Sequence, residues 1–462
     1  MTFLNRITLL SFMFLPLPTL AEEDIREMFN ELKAQVKTLQ TQVQQSNTRI
    51  NELEKELSQA QTHQTVQSIP AITPPPSHVE EIANKPAVTT GDVKGTFKIS
   101  GTDTSLGFGG YVKTDVLFNS VSAGRDKFGD QYTTYSQIPL GKRAGEHSQI
   151  TFNAKESRIW FRSFTPSKWG DINTLLEMDF YGDPATYTYT PRLRHAYGSI
   201  GNLLVGQTWT TFLNTNVLPN LLDSGGSAGA VYGVRQPLVR WTQPFTLSTL
   251  PMDFQLALES PRSRIRDVAT ADADVFSTPN ADRYPDLVAR LNLNPDWGKF
   301  SLATLGRQIR NTNSLGNAQA EWSGAVSLAG KINSIDLDSV RFMFSYGNAL
   351  GRYIASSNTF EDAVFSNGNL QLIDLYSGML SYQHFWSKEW QSNITYGFVH
   401  ANQIASAGNN ITSQVQSVHA NLLWSPISQT ILGMEYIYAT RDAFDGRDGE
   451  LQRVQFSARY NF

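Results

Sequence analysis

The 462-residue chain lacks cysteine, is poor in charge and has no long apolar run, and each shortage removes a class of protein. Without cysteine there can be no disulfide framework, no thiolate metal site and no cysteine nucleophile. Charged residues make up 17% of the chain, below the ~25% typical of soluble domains. The strongest apolar segment, residues 7–15, is too short to span a bilayer as a helix. Catalytic signatures are missing as well. There is no Gly-x-Ser-x-Gly, no His-Glu-x-x-His and no phosphate-cradling Gly-x-x-x-x-Gly-Lys, and the histidines show no ligand spacing. The expectation is therefore a protein that is not an enzyme and holds no cofactor or metal. A formal net charge of −4 gives no basic field for nucleic acid.

What is present has a clear order. Residues 7–15 follow Arg6 and precede "PTLA", which puts Thr19 and Ala21 at the −3 and −1 positions of a cleavage site. This predicts a secretory signal peptide over 1–21 and an envelope protein of a Gram-negative bacterium. From Ile25 to Leu57 apolar residues recur in alternating steps of four and three, with Ser46 filling one seam position. That heptad pattern predicts a periplasmic coiled coil within 22–60. A Pro- and Thr-rich spacer follows over 61–94.

From residue 95 onward the pattern becomes short alternating segments of period two. They place strands near 106–118, 150–164, 172–182, 189–200, 202–212, 234–243, 251–259 and 285–294. Eight more fall near 299–310, 320–333, 336–346, 371–385, 389–401, 412–425, 427–440 and 449–462. Short turns such as "GN", "NSID" and "SKE" alternate with long polar loops at 119–149, 213–233, 260–284 and 347–370. About sixteen antiparallel strands with this asymmetry of connections predict an all-β transmembrane barrel over 95–462. In the closing stretch "RVQFSARYNF", Val454, Phe456, Ala458, Tyr460 and Phe462 form an apolar face opposite Arg453, Gln455, Ser457, Arg459 and Asn461. Aromatics at strand ends, including Trp209, Phe212, Trp241, Phe245, Tyr382, Trp386, Trp390 and Tyr436, suit two interfacial girdles. His195 falls on the lipid-side parity of its strand and is expected in a girdle too.

The inward parity is rich in arginine. "ESRIWFRSF" points Arg158 and Arg162 inward and Ile159 and Phe161 outward. "NTLLEMDFYG" points Glu177 and Asp179 inward, and "PRLRHAYGSI" supplies Arg192 and Arg194, although these two share their parity with Ala196. The same argument adds Arg240, Arg290, Arg341, Arg453 and Arg459. A charge on the lipid face would cost ~2–4 kcal/mol at mid-membrane, so these groups belong in the lumen. There they can either brace neighbouring strands or meet a solute. The loop over 213–233 has glycine, serine and apolar residues that could pack on an inner wall, which would make Asp223 an acid facing the arginines. Beyond residue 94 there are 30 Lys+Arg against 31 Asp+Glu, a balance that does not choose a sign. A general or cation-leaning pore dominated by Asp272, Asp274, Asp282 and Asp286 is the alternative. A structural barrel tethering the outer membrane to the cell wall through the coiled coil is a second.

The stretches "GFGGYVKTDVLFN", "ESRIWFRSF", "LRHAYGSIGNLLVGQTWTTF" and "VRQPLVRW" resemble the DcaP-like outer-membrane porins. The resemblance implies a trimeric sixteen-stranded channel favouring small anions, with dicarboxylates as substrates. It also implies that the N-terminal coiled coil is a periplasmic extension, able to reach peptidoglycan or a periplasmic protein. By that resemblance the pore residues are among Arg158, Arg162, Arg192, Arg194, Arg235 and Arg240.

Overall fold

A computed structural model describes residues 88–462 except 122–131, 142–146, 183–187, 269–273, 277–281, 313–317, 335, 355–358, 405–406 and 409–410, and the side chains of 274–276. It also describes Lys37, Gln44, Thr48 and Lys55, which are helical. The signal peptide, the heptad seam and residues 61–87 of the proline spacer lie outside the described residues. The last part of the expected spacer, 88–94, is no extended linker but begins a short hairpin, Val88–Thr90 pairing with Phe97–Ile99.

The barrel strands are β1 (Ser105–Asn119), β2 (Gln149–Asn153 and Arg158–Thr165), β3 (Ile172–Asp179), β4 (Arg192–Ile200), β5 (Leu203–Trp209), β6 (Arg235–Leu247), β7 (Leu250–Glu259) and β8 (Asp286–Leu293). They continue as β9 (Gly298–Thr312), β10 (Ala318–Asn333), β11 (Ser339–Asn348), β12 (Asp374–Phe385), β13 (Trp390–Ala401), β14 (Thr412–Trp424), β15 (Thr430–Ala443) and β16 (Asp448–Asn461). Each pairs antiparallel with its sequence neighbour, and β16 pairs with β1 from Arg453↔Asn119 to Asn461↔Tyr111, which closes the sheet. Of nineteen segments in the sheet, two form a short hairpin before β1 (Val88–Thr90, Phe97–Ile99) and two are halves of β2. Sixteen barrel strands remain among the described residues, matching the sixteen expected from the alternation.

The alternation has the physical effect it should have. Along β1, Phe108, Val112 and Phe118 face outward, while Lys113, Asp115 and Asn119 face inward and are buried. A side chain every second residue on each face follows from the strand pleat. The outward faces are apolar because closure leaves them against hydrocarbon, where all backbone groups must already be paired.

Two long loops fold on each other at the same end of the barrel. Arg264–Asp267 pairs with Asp274–Phe276 and, in parallel, with Ala363–Ser366, which pairs in turn with Asn369–Leu372. Beneath this small sheet Arg307 is fully buried between Asp286 (3.4 Å) and Asp362 (3.2 Å).

The segment between β5 and β6 turns inward, as its glycine and apolar residues suggested. Phe212, Leu213, Val217, Ala228, Val231 and Val234 form one buried cluster with Met343, Met379, Val399 and Val415 of the wall. Gly229 lies against the backbone of β12. A Cβ there would sit 1.8 Å from the Gly378 carbonyl oxygen, so only glycine permits the approach. The expectation that Trp209 and Phe212 join the outer girdle fails for this reason. Phe212 is buried against Tyr353 (5.9 Å), and Trp209 packs with Tyr232 of the inward loop (6.0 Å). Trp241, Phe245, Tyr382, Trp386, Trp390 and Tyr436 do face outward and are exposed.

Candidate functional site

The inward loop is fixed by its backbone carbonyls and amides. Arg290 on β8 donates to the carbonyls of Thr211 (2.9 Å) and Leu213. Arg341 on β11 donates to Leu218, and Ser417 on β14 accepts from the Ala228 amide (3.0 Å). The Leu222 peptide is held on both sides. Its amide donates to Glu435 (2.7 Å), and its carbonyl accepts from Lys113 (2.7 Å) and Gln455 (2.9 Å). Arg290 and Arg341 are therefore loop anchors. Arg453 belongs with them, bound to Asn119 (2.6 Å) and Thr133 (3.0 Å) and 3.6 Å from Asp223. Asp223 faces one of the inward arginines, Arg453 of β16, and does not line the pocket beside β2–β6. Its carboxylate is buried and accepts from the Thr133 amide at 3.0 Å and 3.2 Å, tying two loops together.

Packed on β8–β16 and β1, the loop leaves its other side toward β2–β6. There an open pocket of about 120 Å³ is lined by Glu156, Arg158, Arg192, Arg194 and Arg235, with Tyr132, Tyr181 and Tyr232 around them. Two β-bulges aim charge into it. On β2 the pairing with β1 runs from Asp115↔Asn153 to Tyr111↔Arg158, so four residues (154–157) oppose three. The extra residue lets both Asn153 and Arg158 sit on the inner face and presents Glu156 to the pocket. On β4 Glu177 pairs with His195 but Met178 pairs with Leu193, which leaves Arg194 as the inserted residue. Arg192 and Arg194 both turn inward, while Leu193 points out and is exposed.

The second bulge corrects the placement of His195. It faces inward rather than lying in a girdle, buried with Nδ1 3.0 Å from Thr208 Oγ1 and its ring 5.8 Å from Trp209. It also explains why Ala196 shared a parity with Arg192 and Arg194, since the parity changes between them.

The guanidiniums differ in how fully they are engaged. Arg194 donates to Glu177 (2.7 Å) and Asp179 (2.7 Å). Arg192 grips Asp179 in a fork, Nε at 2.9 Å and Nη2 at 2.6 Å. Arg158 lies between Glu177 (3.6 Å) and Glu156 (3.8 Å), beyond hydrogen-bond reach of either. Arg235 has no carboxylate partner among the described residues and stacks over Trp209 at 4.5 Å. Glu156 is held by Lys113 (2.5 Å), which has Asp115 as a second partner (3.4 Å). Five cations thus meet four carboxylates around the pocket: Arg158, Arg192, Arg194, Arg235 and Lys113 against Glu156, Glu177, Asp179 and Asp115. In the loop after β3, burial pushes the Tyr181 hydroxyl well above its usual range, so it stays neutral as partner to Asn153 (3.0 Å) and Ser224 (3.3 Å).

A barrel of sixteen strands with a charged pocket beside an inward loop has relatives. Residues 84–462 match the family model described as DcaP outer membrane protein. The chain belongs to the DcaP outer membrane protein family. It is a porin channel of the Gram-negative outer membrane, not an enzyme. This DcaP-family barrel is similar to the crystal structure of the outer membrane channel DcaP of Acinetobacter baumannii. The two are 21% identical with a TM-score of 0.65, covering 79% of this chain and 99% of that one. It is also similar to an anion-selective porin from Comamonas acidovorans at 13% identity and a TM-score of 0.50, covering 78% and 100%. At these identities the likeness shows the fold. A comparison with curated proteins finds no match.

Other residues expected at the site fall elsewhere in the DcaP-family lumen. Arg162 is inward but four residues beyond Arg158 along β2, over the Trp160 ring (5.0 Å) and donating to the Lys94 carbonyl (3.4 Å). Arg240 lies on the inner face of β6 without an ion pair among the described residues, outside the pocket lining. Arg459 stacks on Tyr111 (3.8 Å). Of the acids in the cation-leaning alternative, Asp286 is spent on Arg307 and on the Tyr353 hydroxyl (2.7 Å). Asp282 accepts from Ser263 (3.0 Å). Asp272 and the Asp274 side chain lie outside the described residues. The sequence reading missed Glu156 as a pocket group, and with it Lys113 and Trp209, which support Glu156 and Arg235 from behind the lining. Glu156 shares the parity of Arg158 in the sequence, but parity alone does not tell which inward acids border a pocket. That depends on where the distant loop residues Ser224, Gly225 and Tyr232 arrive.

Proposed function

We propose that this channel passes small anions, with dicarboxylates as its preferred solutes, and that Arg158 and Arg235 are the groups that meet them. One observation carries this reading. These two guanidiniums border the pocket with charge not consumed by a hydrogen-bonded carboxylate, while Asp179 is saturated by Arg192 and Arg194. A guanidinium fork binds a carboxylate in fixed orientation, and stacking on an indole keeps it planar and aimed. Two such groups suit a solute with two carboxylates. Arg192, Arg194, Glu177 and Asp179 then act as the wall that holds the site, and the 213–233 loop as the constriction opposite.

The reading extends to a homotrimer in outer-membrane lipid. It also extends to a chain organised as signal peptide (1–21), periplasmic coiled coil (22–60), spacer (61–94) and barrel (95–462). The coiled coil offers contact with peptidoglycan or a periplasmic protein.

The test is reversal potential across a planar bilayer in a KCl gradient. Arg158→Gln combined with Arg235→Gln is expected to move the potential toward the cation limit and to weaken block of the current by succinate. Wild-type values for both would return the two arginines to wall bracing, and a cation-selective wild type would end the anion reading itself.

A further inference from the structure

Glu156 is an acid inside a site that is otherwise built for anions. The β2 bulge delivers it there, and the strand on either side would run unbroken if residues 154–157 lost one member. Its two oxygens are used unequally. Oε2 takes the close bond from Lys113 (2.5 Å), whereas among the described residues Oε1 has only the Tyr111 hydroxyl at 3.3 Å and Arg158 at 3.8 Å. Arg158 in turn is drawn between Glu156 and Glu177 and bonded by neither, with its Nε buried and without a hydrogen-bond partner among the described residues.

The other acids of the site are spoken for. Glu177 accepts from Arg194, and Asp179 accepts from two arginines. Among the described residues Glu156 is the one carboxylate that both lines the pocket and leaves its facing oxygen loosely held. Lys113 keeps its place without it, because Asp115 and the Leu222 carbonyl remain.

We propose that Glu156 is the specificity-determining residue of this pocket, a resident counter-anion that holds the seat beside Arg158 which a solute carboxylate must take. Its negative charge lowers the attraction of Arg158 for a permeating anion, so the anion enters and also leaves. A channel needs both, because a site that binds too well stops conducting. The competition acts on the Arg158 side only. Arg235, stacked on Trp209, is open to a first carboxylate regardless, so Glu156 weighs on solutes with two acid groups more than on those with one.

This proposal rests on the reading of the pocket as an anion site, and its test separates the two. Glu156→Gln keeps the shape and removes the charge. In bilayers it is expected to shift the reversal potential toward the anion limit from wherever the wild type lies. It should tighten succinate block by about ten-fold, as expected for removing one like charge a few ångströms from the bound anion, and acetate block by less. An unchanged or cation-ward potential overturns the proposal, as does equal tightening for succinate and acetate. The wild-type potential alone judges the anion reading. Should Glu156→Gln fail to assemble, Glu156→Asp decides. It retains a charge for Lys113 but withdraws it from Arg158 by one methylene, and is expected to move both readouts the same way by a smaller amount. Wild-type behaviour of Glu156→Asp would then overturn the role.

Discussion

Removing Glu435 should loosen the inward loop between β5 and β6 without unfolding the barrel. Its carboxylate is buried on β15 and accepts from the Leu222 amide (2.7 Å), Asn421 (2.9 Å) and His419 Nδ1 (3.0 Å). Bonds to a charged acceptor are worth ~1.5–3 kcal/mol each, but deleting the carboxylate also relieves the cost of keeping it dry. Only the Leu222 bond crosses to the loop, so Glu435→Ala costs residues 220–224 about 1.5–3 kcal/mol. At 1.4 kcal/mol per decade that raises local opening about 10- to 140-fold. The strand ladders are untouched, and Arg290, Arg341 and Ser417 still hold the rest of the loop. Single-channel recording should show larger and noisier conductance, with unchanged heat-modifiable migration of the barrel. Glu435→Gln keeps one oxygen for the Leu222 amide and should be milder. Wild-type conductance and noise in Glu435→Ala, or an equal effect of the two substitutions, would refute this account of the loop.

Two further outcomes follow from the same packing. Gly229→Ala places a Cβ 1.8 Å from the Gly378 carbonyl oxygen, so the loop must move off the wall into the lumen, and single-channel conductance should fall. Asp286→Asn leaves buried Arg307 with Asp362 alone (3.2 Å) and takes a charged partner from Tyr353. It should cost ~3–5 kcal/mol as a broken buried pair, lowering the thermal midpoint by circular dichroism while leaving reversal potential unchanged.

Much of the barrel was legible because its rules are local. A strand buried between lipid and water must alternate, and Phe108, Val112 and Phe118 opposite Lys113 and Asp115 could hardly be arranged otherwise. The arginine strands were legible for the same reason, since Arg158, Arg192 and Arg194 have nowhere to go but inward. Where the reading failed, a non-local contact decided. Trp209 and Phe212 look like girdle aromatics until the following loop folds inside and gives them a core. Asp223 looks like a pore acid until Thr133, ninety residues away, supplies its amide. His195 looks lipid-facing until one inserted residue changes its parity.

By itself, then, the sequence determined the barrel, its strand number and which groups are kept from lipid, because period-two burial and the cost of charge in hydrocarbon act on each strand separately. The tertiary structure alone decided which of the lumen arginines are spent and which are open. Arg290 and Arg341 go to loop carbonyls, Arg192 and Arg194 to Asp179, while Arg158 and Arg235 are left at the pocket. That division depends on two bulges and on a loop crossing to strands more than a hundred residues away, and strand register over such separations is set only when the sheet closes.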